Sequence, residues 1–525
     1  MFRRVPWPSL GTICCTSVVF LELSVRNKMV DASWDIAALA VFGLVLLATF
    51  AAAWKGHRDA GDEVEAQISR QRLNRWLVGL SAGATANSGF VVTGAVGLGY
   101  SYGIHWLLLP FGWFLGDLVF WQFFPHRINS FGRRAKATTL ADLIIHGLPV
   151  GRHRVIAVAS TVIVVVCLGG YTMAQWVAGQ KFVQGAFGVS GYWTLLLFAV
   201  FIIAYSSVGR FRGSVYADTF QAITRLLGTT IALFTVCWFV AKNPSTFAAN
   251  INDAGDGFLD LLGGGTAVSA AGMVIGYAAA AFGFGLGQPQ VTSRYLAARS
   301  PRETRAARWI YMAYVQVTWA TMTVFGVLLR GVMPEIADPE QGLTVFVSAT
   351  LPPLLMGVIV ADIFGAIAST ANSLLVAMTQ ATRDLFGAET GDRIPFWCIS
   401  LPLGLVTMLA AITLQERTTV FDLAITSVSL MAAGLAPAVA VKVLYWRHSS
   451  LSITAAMFVG FAVAFGWKVA GWSATINEAA AGISVGFVAN FLLSRRCDLP
   501  RPLFSKQKRP HVESTVSHGP SQDNE

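Results

Sequence analysis

The sequence predicts an all-α polytopic membrane protein with about 13 transmembrane helices. Of its 525 residues, 54% are hydrophobic and only 13% are charged, and the mean hydropathy is +0.58. So few charged residues cannot cover the surface of a soluble protein of this size. The apolar residues also recur in stretches of roughly 20, the length of helix that crosses a hydrocarbon core of about 30 Å. We therefore expect the lipid bilayer to surround most of the chain.

Each predicted span is an apolar stretch that can satisfy its backbone hydrogen bonds within one helix. The spans are residues 34–54, 77–100, 103–126, 153–184, 191–209, 214–241, 271–290, 306–330, 351–379, 396–415, 421–443, 450–471 and 476–495. Together they define a predicted transmembrane domain over residues 34–495.

Positive charge alternates between the loops that join these spans. Lys and Arg follow the first, third, fifth and seventh spans, whereas the loops on the other side are short or acidic. Short cytoplasmic loops are enriched in Lys and Arg. The pattern therefore predicts an N-terminus outside and a C-terminus in the cytoplasm. We expect the plasma (inner) membrane of a bacterium, with an organelle membrane as the alternative.

The two ends of the chain differ from the predicted transmembrane domain. Residues 1–33 contain a basic start and an apolar run of about 14 residues, which is more typical of a signal-peptide core than of a span. A mis-assigned start, with Met29 opening the chain, is the alternative. Residues 496–525 are polar and poor in aromatic residues, so we predict a disordered cytoplasmic tail.

Composition and motifs exclude several functional classes. The net charge of +10 does not indicate a nucleic-acid partner, because Lys and Arg are spread over short loops. The six cysteines form no CxxC pair, so neither a disulfide framework nor a metal cluster is predicted. There is no HExxH motif and no repeated selectivity loop, and we expect neither an enzyme nor a channel.

Two predicted spans contain segments that disfavour a continuous helix. Small and polar residues run from Ser81 to Gly89, and three alternating glycines precede Pro289 in the span five further along. Inside a helix, Gly costs about 1 kcal/mol and Pro about 3 kcal/mol relative to Ala. Paired breaks are typical of inverted-repeat transporters, in which the unwound backbone binds ions and solute. Close packing through small residues is the alternative.

Four motifs resemble the sodium/solute symporter family, and among its branches the sodium/proline symporters. SAGATANSG at 81–89 and GQP at 287–289 resemble the family's first and sixth core helices. GRFRGSVYADTFQ at 209–221 is similar to the turn into its fifth helix, and FGAIASTANSLLVAMTQATRDLF at 364–386 to its eighth. The resemblance implies a five-plus-five inverted-repeat (LeuT-like) core, with one helix before it and two after.

The resemblance also implies a sodium site between the first and eighth core helices. Its ligands would be the carbonyl oxygens of Ala84, Asn87 and Ala366 and the hydroxyls of Ser369 and Thr370. Ala366, Ser369 and Thr370 lie at i, i+3 and i+4, so they share one helix face. Oxygen ligands suit a hard cation. A packing or backbone hydrogen-bonding role for the Ser-Thr pair is the alternative.

Substrate contacts are predicted at the two breaks and on two other helices. They are Ser88, Tyr171, Gly285, Gln288, Pro289 and Asp362. Tyr171 and Pro289 match positions that bear on substrate binding in the proline branch. The chain departs from that branch at Ala281 and Gly285, where aromatic residues are expected, and at Ala86, where an acidic residue is expected.

Two intramembrane carboxylates have a predicted role and an alternative. Asp218 matches a family position tied to cation release, and a pair with Arg225 on the same helix face is the alternative. Asp362 lies two turns before Ser369. We predict that it receives the amino group of a zwitterionic or cationic solute, because charge at mid-membrane needs a partner. A polar contact between helices is the alternative.

The predicted function is sodium-coupled symport of a small organic solute, such as an amino acid, by alternating access. Its expected partners are the solute, the sodium ion and the lipid bilayer, with no obligate protein partner. The alternative is a transporter-like solute sensor that acts with a separate signalling partner. A tail of about 30 residues is too short to fold into an output domain of its own.

Overall fold

The computed structural model describes residues 36–58, 71–188, 191–386, 391, 393–414 and 418–494. Every regular element over these residues is helical, and the only β-type pairing there is an isolated bridge between Leu73 and Ala298. The all-α prediction is therefore confirmed. The predicted N-terminal segment 1–33 and tail 496–525 lie outside the described residues.

The helices follow the predicted order of spans. They are α1 Ile36–Arg58, α2 Arg75–Ala86, α3 Gly89–Val92, α4 Gly94–Tyr102, α5 Leu108–Phe123, α6 Pro125–Ala135, α7 Leu140–Ile145, α8 His153–Phe187, α9 Tyr192–Lys242, α10 Pro244–Asp253, α11 Ala267–Gly287, α12 Pro289–Leu296, α13 Pro301–Val332, α14 Gly342–Thr350, α15 Pro353–Asp384, α16 Trp397–Leu414, α17 Val420–Val443, α18 Ser450–Val469 and α19 Glu478–Ser494. Short 3-10 turns lie at Ile104–Leu107, Val150–Arg152, Pro339–Gln341 and Trp472–Ala474.

Ten helical segments within the described residues are long and apolar enough to cross a membrane. The shorter apolar helix α19 follows them. The predicted span 77–100 is divided among α2, α3 and α4, so none of these helices alone has the necessary length. The chain is a multi-pass membrane protein, and the count of thirteen spans stays a prediction.

The predicted spans 191–209 and 214–241 both lie in α9, which cannot be straight. Phe198 packs edge-on against Phe364, with ring centroids 5.5 Å apart. The side chain of Gln221 lies over Gly365, the next residue of α15. In a straight helix Phe198 and Gln221 would be about 35 Å apart. The helix must therefore bend sharply between them, as the two predicted spans would require.

Both predicted helix breaks are present. The helix α2 ends at Ala86, Asn87 leaves the helical region (φ −91°, ψ 67°), and the Ser88 hydroxyl accepts a hydrogen bond from the Phe90 amide at the start of α3. The helix α11 ends at Gly287, and Gln288 is extended. Pro289 then opens α12 at a position where its missing N–H costs no helical hydrogen bond. At both breaks the backbone leaves the helical conformation inside the protein.

Candidate functional site

The first break packs against the eighth core helix, α15. The side chain of Ile367 contacts Gly89, directly after the break. On α15, the Ser369 hydroxyl donates to the Ala366 carbonyl at 3.3 Å. The Thr370 hydroxyl is buried and has no hydrogen-bond partner. A buried oxygen without a partner is an available ligand.

The five predicted sodium ligands are all buried, on the two elements that meet here: Ala84, Asn87, Ala366, Ser369 and Thr370. The side-chain amide of Asn87 donates to the hydroxyl of Thr318 on α13, while its Oδ1 has no partner. The amide contact fixes the residue at the break. The donor set is entirely oxygen, which fits a sodium ion.

Asp218 lies in a buried polar cluster that joins α2, α9, α12 and α15. Its Oδ2 accepts from the Ser81 hydroxyl at 2.9 Å and from Arg294 Nη2 at 3.0 Å. The same Nη2 donates to Ser373 at 3.1 Å and to Ser214 at 3.4 Å. One guanidinium therefore connects four helices around the carboxylate.

The alternative pairing of Asp218 with Arg225 is wrong. Arg225 Nε instead donates to both carboxylate oxygens of Asp362, at 2.9 and 3.0 Å. Residues seven apart share a helix face, but they are separated by about 10.5 Å along the axis. Each charge therefore finds a nearer partner on a neighbouring helix.

Asp362 thus has a partner within the protein, and both members of its ion pair are buried. Gly228 on α9 makes room for the pair, because a Cβ atom there would lie 2.7 Å from Asp362 Oδ2. The predicted role of Asp362 as the acceptor of the solute's amino group requires a carboxylate that is open to the solute. The structure favours the alternative, a polar contact between helices.

The predicted substrate contacts divide between the two breaks. Tyr171 on α8 is buried beside Ser88, and its hydroxyl has no hydrogen-bond partner. At the second break, Gln288 Oε1 accepts a hydrogen bond from the side-chain amide of Gln290, while Gln288 Nε2 has no partner. Gly285 faces the ring of Phe120, which an added Cβ would meet at 2.4 Å. Phe120 therefore fills the space that an aromatic side chain at position 285 would need.

A cavity lies next to the Asp218 cluster. Its walls include Pro289, Arg294 and Ser373, together with Thr139 and Asp384 nearer one membrane face. Arg294 and Ser373 belong to both the cluster and the cavity wall. The cavity therefore links the cluster to the face that the positive charge of the loops predicts to be cytoplasmic.

The model of the sodium:solute symporter family matches residues 68–460, which is most of the chain. The chain belongs to the sodium:solute symporter family. This symporter is 24% identical over 479 residues to an osmoregulated proline transporter of Bacillus subtilis, covering 88% of the chain and 95% of the relative. It is 25% identical over 485 residues to sodium/proline symporter 2 of Staphylococcus saprophyticus, covering 88% and 91%.

A solved structure of a Na+-coupled sialic acid symporter, bound to substrate in an outward-open state, shares the fold of this symporter. The TM-score is 0.72 at 16% identity, and the match covers 88% of this chain and 98% of the other. The resemblance predicted from the four motifs is confirmed. It extends to the family and the fold.

On the side away from the cavity, the symporter is closed by packing around Phe421. Its ring lies 6.2 Å from Phe90 and 5.6 Å from Trp106, measured between centroids. The carboxylate of Glu340 accepts from the backbone amides of Val420 and Phe421, both at 3.2 Å. Glu340 also pairs with Lys181 of α8 at 2.7 Å. These contacts fix the first turn of α17 over the break.

Sequence reasoning missed three buried charges of this symporter. The basic loop predicted after the seventh span, residues 271–290, contains Arg294, but the structure buries this residue on α12. The sequence predicts Arg225 only as an alternative partner of Asp218, whereas it pairs with Asp362. Asp117 was not considered, although a carboxylate inside the apolar span 103–126 is a signal for function by itself.

Proposed function

We propose that this symporter couples the entry of sodium to the uptake of a small amino-acid-like solute across the plasma membrane. The observation that carries the proposal is the pair of helix breaks inside a fold of this family, with unpartnered buried oxygens at the first break. Two relatives named as proline transporters support an amino-acid-like solute.

We place the sodium ion between the first break and α15. The carbonyl oxygens of Ala84, Asn87 and Ala366 and the hydroxyls of Ser369 and Thr370 are its proposed ligands. The unpartnered Thr370 hydroxyl supports this assignment, since a hydroxyl that only packs would be expected to bond to its own helix. Ser369 does bond to its own helix, at the long distance of 3.3 Å.

We assign Asp218 to the route by which the cation leaves. Its cluster borders the cavity that opens towards the predicted cytoplasmic side. A cation that moves from the first break to this cavity passes the carboxylate of Asp218 and the hydroxyl of Ser373. The arginine in the cluster balances the carboxylate while the cation is absent.

The solute is proposed to lie between the two breaks. Ser88 and Tyr171 border it at the first break, and Gln288 and Pro289 border it at the second. The unpartnered Tyr171 hydroxyl and Gln288 amide nitrogen supply hydrogen-bonding groups for a polar solute. Gly285 and Asp362 are assigned structural roles instead of solute contacts. Gly285 packs against Phe120, and Asp362 pairs with Arg225.

We propose transport without catalysis. The segment Gly99–Gly103 reads GYSYG, which has the GxSxG spacing of a serine nucleophile. Such a nucleophile requires a sharp turn between a strand and a helix. Here Ser101 lies in the last turn of α4, and a 3-10 turn follows. The helical setting supports a structural role for this segment.

The test is uptake of labelled L-proline and an amino-acid panel into proteoliposomes, driven by an inward sodium gradient, a proton gradient or neither. We expect accumulation with sodium, and its loss in the double variant Ser369→Ala/Thr370→Ala. Thr413→Ala is the matched control, because its hydroxyl donates only to its own helix, at Ala410. Binding of a solute without accumulation under any gradient would contradict symport and favour the sensor.

A further inference from the structure

Asp117 is a buried carboxylate in the middle of α5, and it belongs neither to the proposed sodium site nor to the Asp218 cluster. It is fully buried, and neither of its oxygens has a hydrogen-bond partner. The ion pairs among the described residues do not include it. An unpaired carboxylate at mid-membrane is costly, so such residues usually serve a function. The carboxyl group of Asp117 therefore either binds a proton or pairs with a cation that comes from outside the protein.

Aromatic rings surround this carboxylate. Trp113 and Trp121 lie one turn before and one turn after Asp117, on the same face of α5. Trp113 packs on Trp319 at 4.9 Å between ring centroids, and Trp121 packs on Tyr311 at 4.8 Å. Tyr311 itself lies beside the carboxylate, although the two groups do not have the geometry of a hydrogen bond. Faces of Trp and Tyr rings attract organic cations, and a neighbouring carboxylate adds to that attraction.

The indole nitrogens of this group also lack partners. The Nε1 atoms of Trp113, Trp121 and Trp319 are buried and make no hydrogen bond. Buried polar atoms are nearly always paired in native proteins, so a local group of unpaired ones indicates a place for a polar ligand or for water. The same region thus offers a carboxylate for a cation and N–H donors for an anionic or polar group.

This region lies between the two helix breaks. Trp319 packs on Phe90, directly after the first break, at 4.8 Å. Trp113 packs on Phe284, in the last turn before the second break, at 5.6 Å. Tyr311 lies near Tyr171 as well as near Asp117. The carboxylate therefore adjoins the proposed solute site.

The buried aspartates of α9 and α15, Asp218 and Asp362, already have cationic partners. Arg294 holds Asp218, and Arg225 holds Asp362. A positively charged nitrogen that enters between the breaks would have to displace a tethered guanidinium to reach either of them. Asp117 requires no such displacement.

We infer that Asp117 receives the positively charged nitrogen of the transported solute, with Trp113, Trp121 and Tyr311 forming the walls of that subsite. The solute class is a small molecule with a charged nitrogen, such as a zwitterionic amino acid. This inference deepens the proposed function and rests on it for the location of the solute. A bound proton, which would leave the carboxyl neutral and unavailable, is the competing occupant.

The experiment measures binding to the purified full-length protein by thermal shift, with sodium or potassium as the only alkali cation. The probes are L-proline, glycine betaine, and N-acetyl-L-proline, whose nitrogen is uncharged. The variants are Asp117→Asn and Asp117→Ala, and Asp256→Asn in the loop after α10 is the control. We expect wild type to bind L-proline or glycine betaine but not N-acetyl-L-proline. The Asp117 variants should bind the charged probe at least about tenfold more weakly.

Loss of folding should not be the reason that the Asp117 variants bind the charged probe more weakly. Replacing an unpaired buried carboxylate by its neutral isostere removes a cost, so the melting temperature without ligand should stay the same or rise. If the variants still failed to fold, the comparison of the charged probes with N-acetyl-L-proline in wild type would test the inference alone.

Each outcome separates the inference from the proposed function. Affinity of Asp117→Asn for the charged probe within about twofold of wild type would overturn the inference and leave sodium-coupled transport intact. Binding that requires Asp117 but is the same in potassium would uphold the inference and contradict sodium coupling. Wild type that binds N-acetyl-L-proline as well as L-proline, or that binds none of the probes, would overturn the inference.

Discussion

At the residue scale, the buried charges of this symporter pair between helices rather than along one helix. Asp218 and Arg225 share a face of α9, yet Asp218 is held by Arg294 of α12 and Arg225 by Asp362 of α15. A pair between helices fixes the distance between them, which a pair along one helix cannot do. The symporter therefore uses these charges to hold its helices in register.

The Arg225–Asp362 pair gives a prediction about stability. Asp362→Asn leaves a buried guanidinium without its counter-charge and should cost about 3–5 kcal/mol of the free energy of unfolding. The double variant Arg225→Met/Asp362→Leu should recover most of that loss, because it leaves no buried charge. Lys468→Met is the control, since it breaks a partly exposed ion pair with Asp422 that is worth about 1 kcal/mol or less. Thermal melting in detergent measures all three, and a double variant no more stable than Asp362→Asn would contradict the account.

Gly228 gives a second prediction, which concerns the room that α9 leaves for the side chain of Asp362. Gly228→Ala would place a methyl group 2.7 Å from Asp362 Oδ2, so the carboxylate must shift and the cost should be about 1–3 kcal/mol. Gly466→Ala on α18 is the control, because an added Cβ there meets nothing within 4 Å. That change should stabilise the protein by up to about 1 kcal/mol, since Ala is the better helix former. Equal melting temperatures for the two variants would show that Gly228 is not a close contact.

At the element scale, helices that end inside the protein create the site. The small residues from Ser81 to Gly89 and the glycines before Pro289 make a continuous helix unfavourable, and the chain leaves the helical conformation at Asn87 and Gln288. The helix α9 is a different case, because it bends sharply between Phe198 and Gln221. The two breaks follow from local sequence, but the helices that pack against them lie on distant segments.

The first turn of α17 gives a prediction about gating. Glu340→Gln removes the charge that accepts from the Val420 and Phe421 amides, and charge-assisted hydrogen bonds contribute about 1.5–3 kcal/mol. The side of the symporter that Phe421 closes should then open more often. In a cysteine-free background, we expect an impermeant maleimide to label Phe421→Cys about tenfold faster when Glu340→Gln is also present.

Asp422→Asn is the matched control for this prediction. Asp422 is an acidic residue within that first turn of α17, but it is exposed and pairs with Lys468. Its replacement should leave the labelling rate unchanged. If Asp422→Asn and Glu340→Gln had the same effect, general weakening of α17 would explain the result better than the loss of a specific contact.

At the scale of the whole molecule, the two sides of the central region differ. The contacts of Phe421 and Glu340 close one side, while a cavity beside Arg294 and Ser373 opens towards the other. The breaks, the proposed sodium ligands and Asp117 lie between them. Such asymmetry is typical of a state of the alternating-access cycle that is open to one side.

The whole-molecule prediction concerns ligand removal. Sodium that binds only the folded protein should raise its stability by about 2.7 kcal/mol when its concentration is 100 times the dissociation constant. We expect sodium, and not potassium, to raise the melting temperature of wild type. The Ser369→Ala/Thr370→Ala variant should lose this response while Thr413→Ala keeps it. A sodium response that survives in the double variant would place the ion elsewhere.

The sequence by itself determined the membrane class, the order of the spans and the position of both breaks. These depend on local composition, because a bilayer demands long apolar helices, and glycine and proline interrupt a helix wherever they occur. The four motifs also carried the family, because their order and spacing are linear properties of the chain.

Only the tertiary structure decided which buried charges pair and which carboxylate lacks a partner. Asp218, Asp362 and Asp117 are each an aspartate in an apolar span, and linear sequence does not distinguish them. Arg294 lies 76 residues from Asp218, and Arg225 lies 137 residues from Asp362. Ion pairing depends on distances of a few ångströms, which the packing of helices from distant parts of the chain sets.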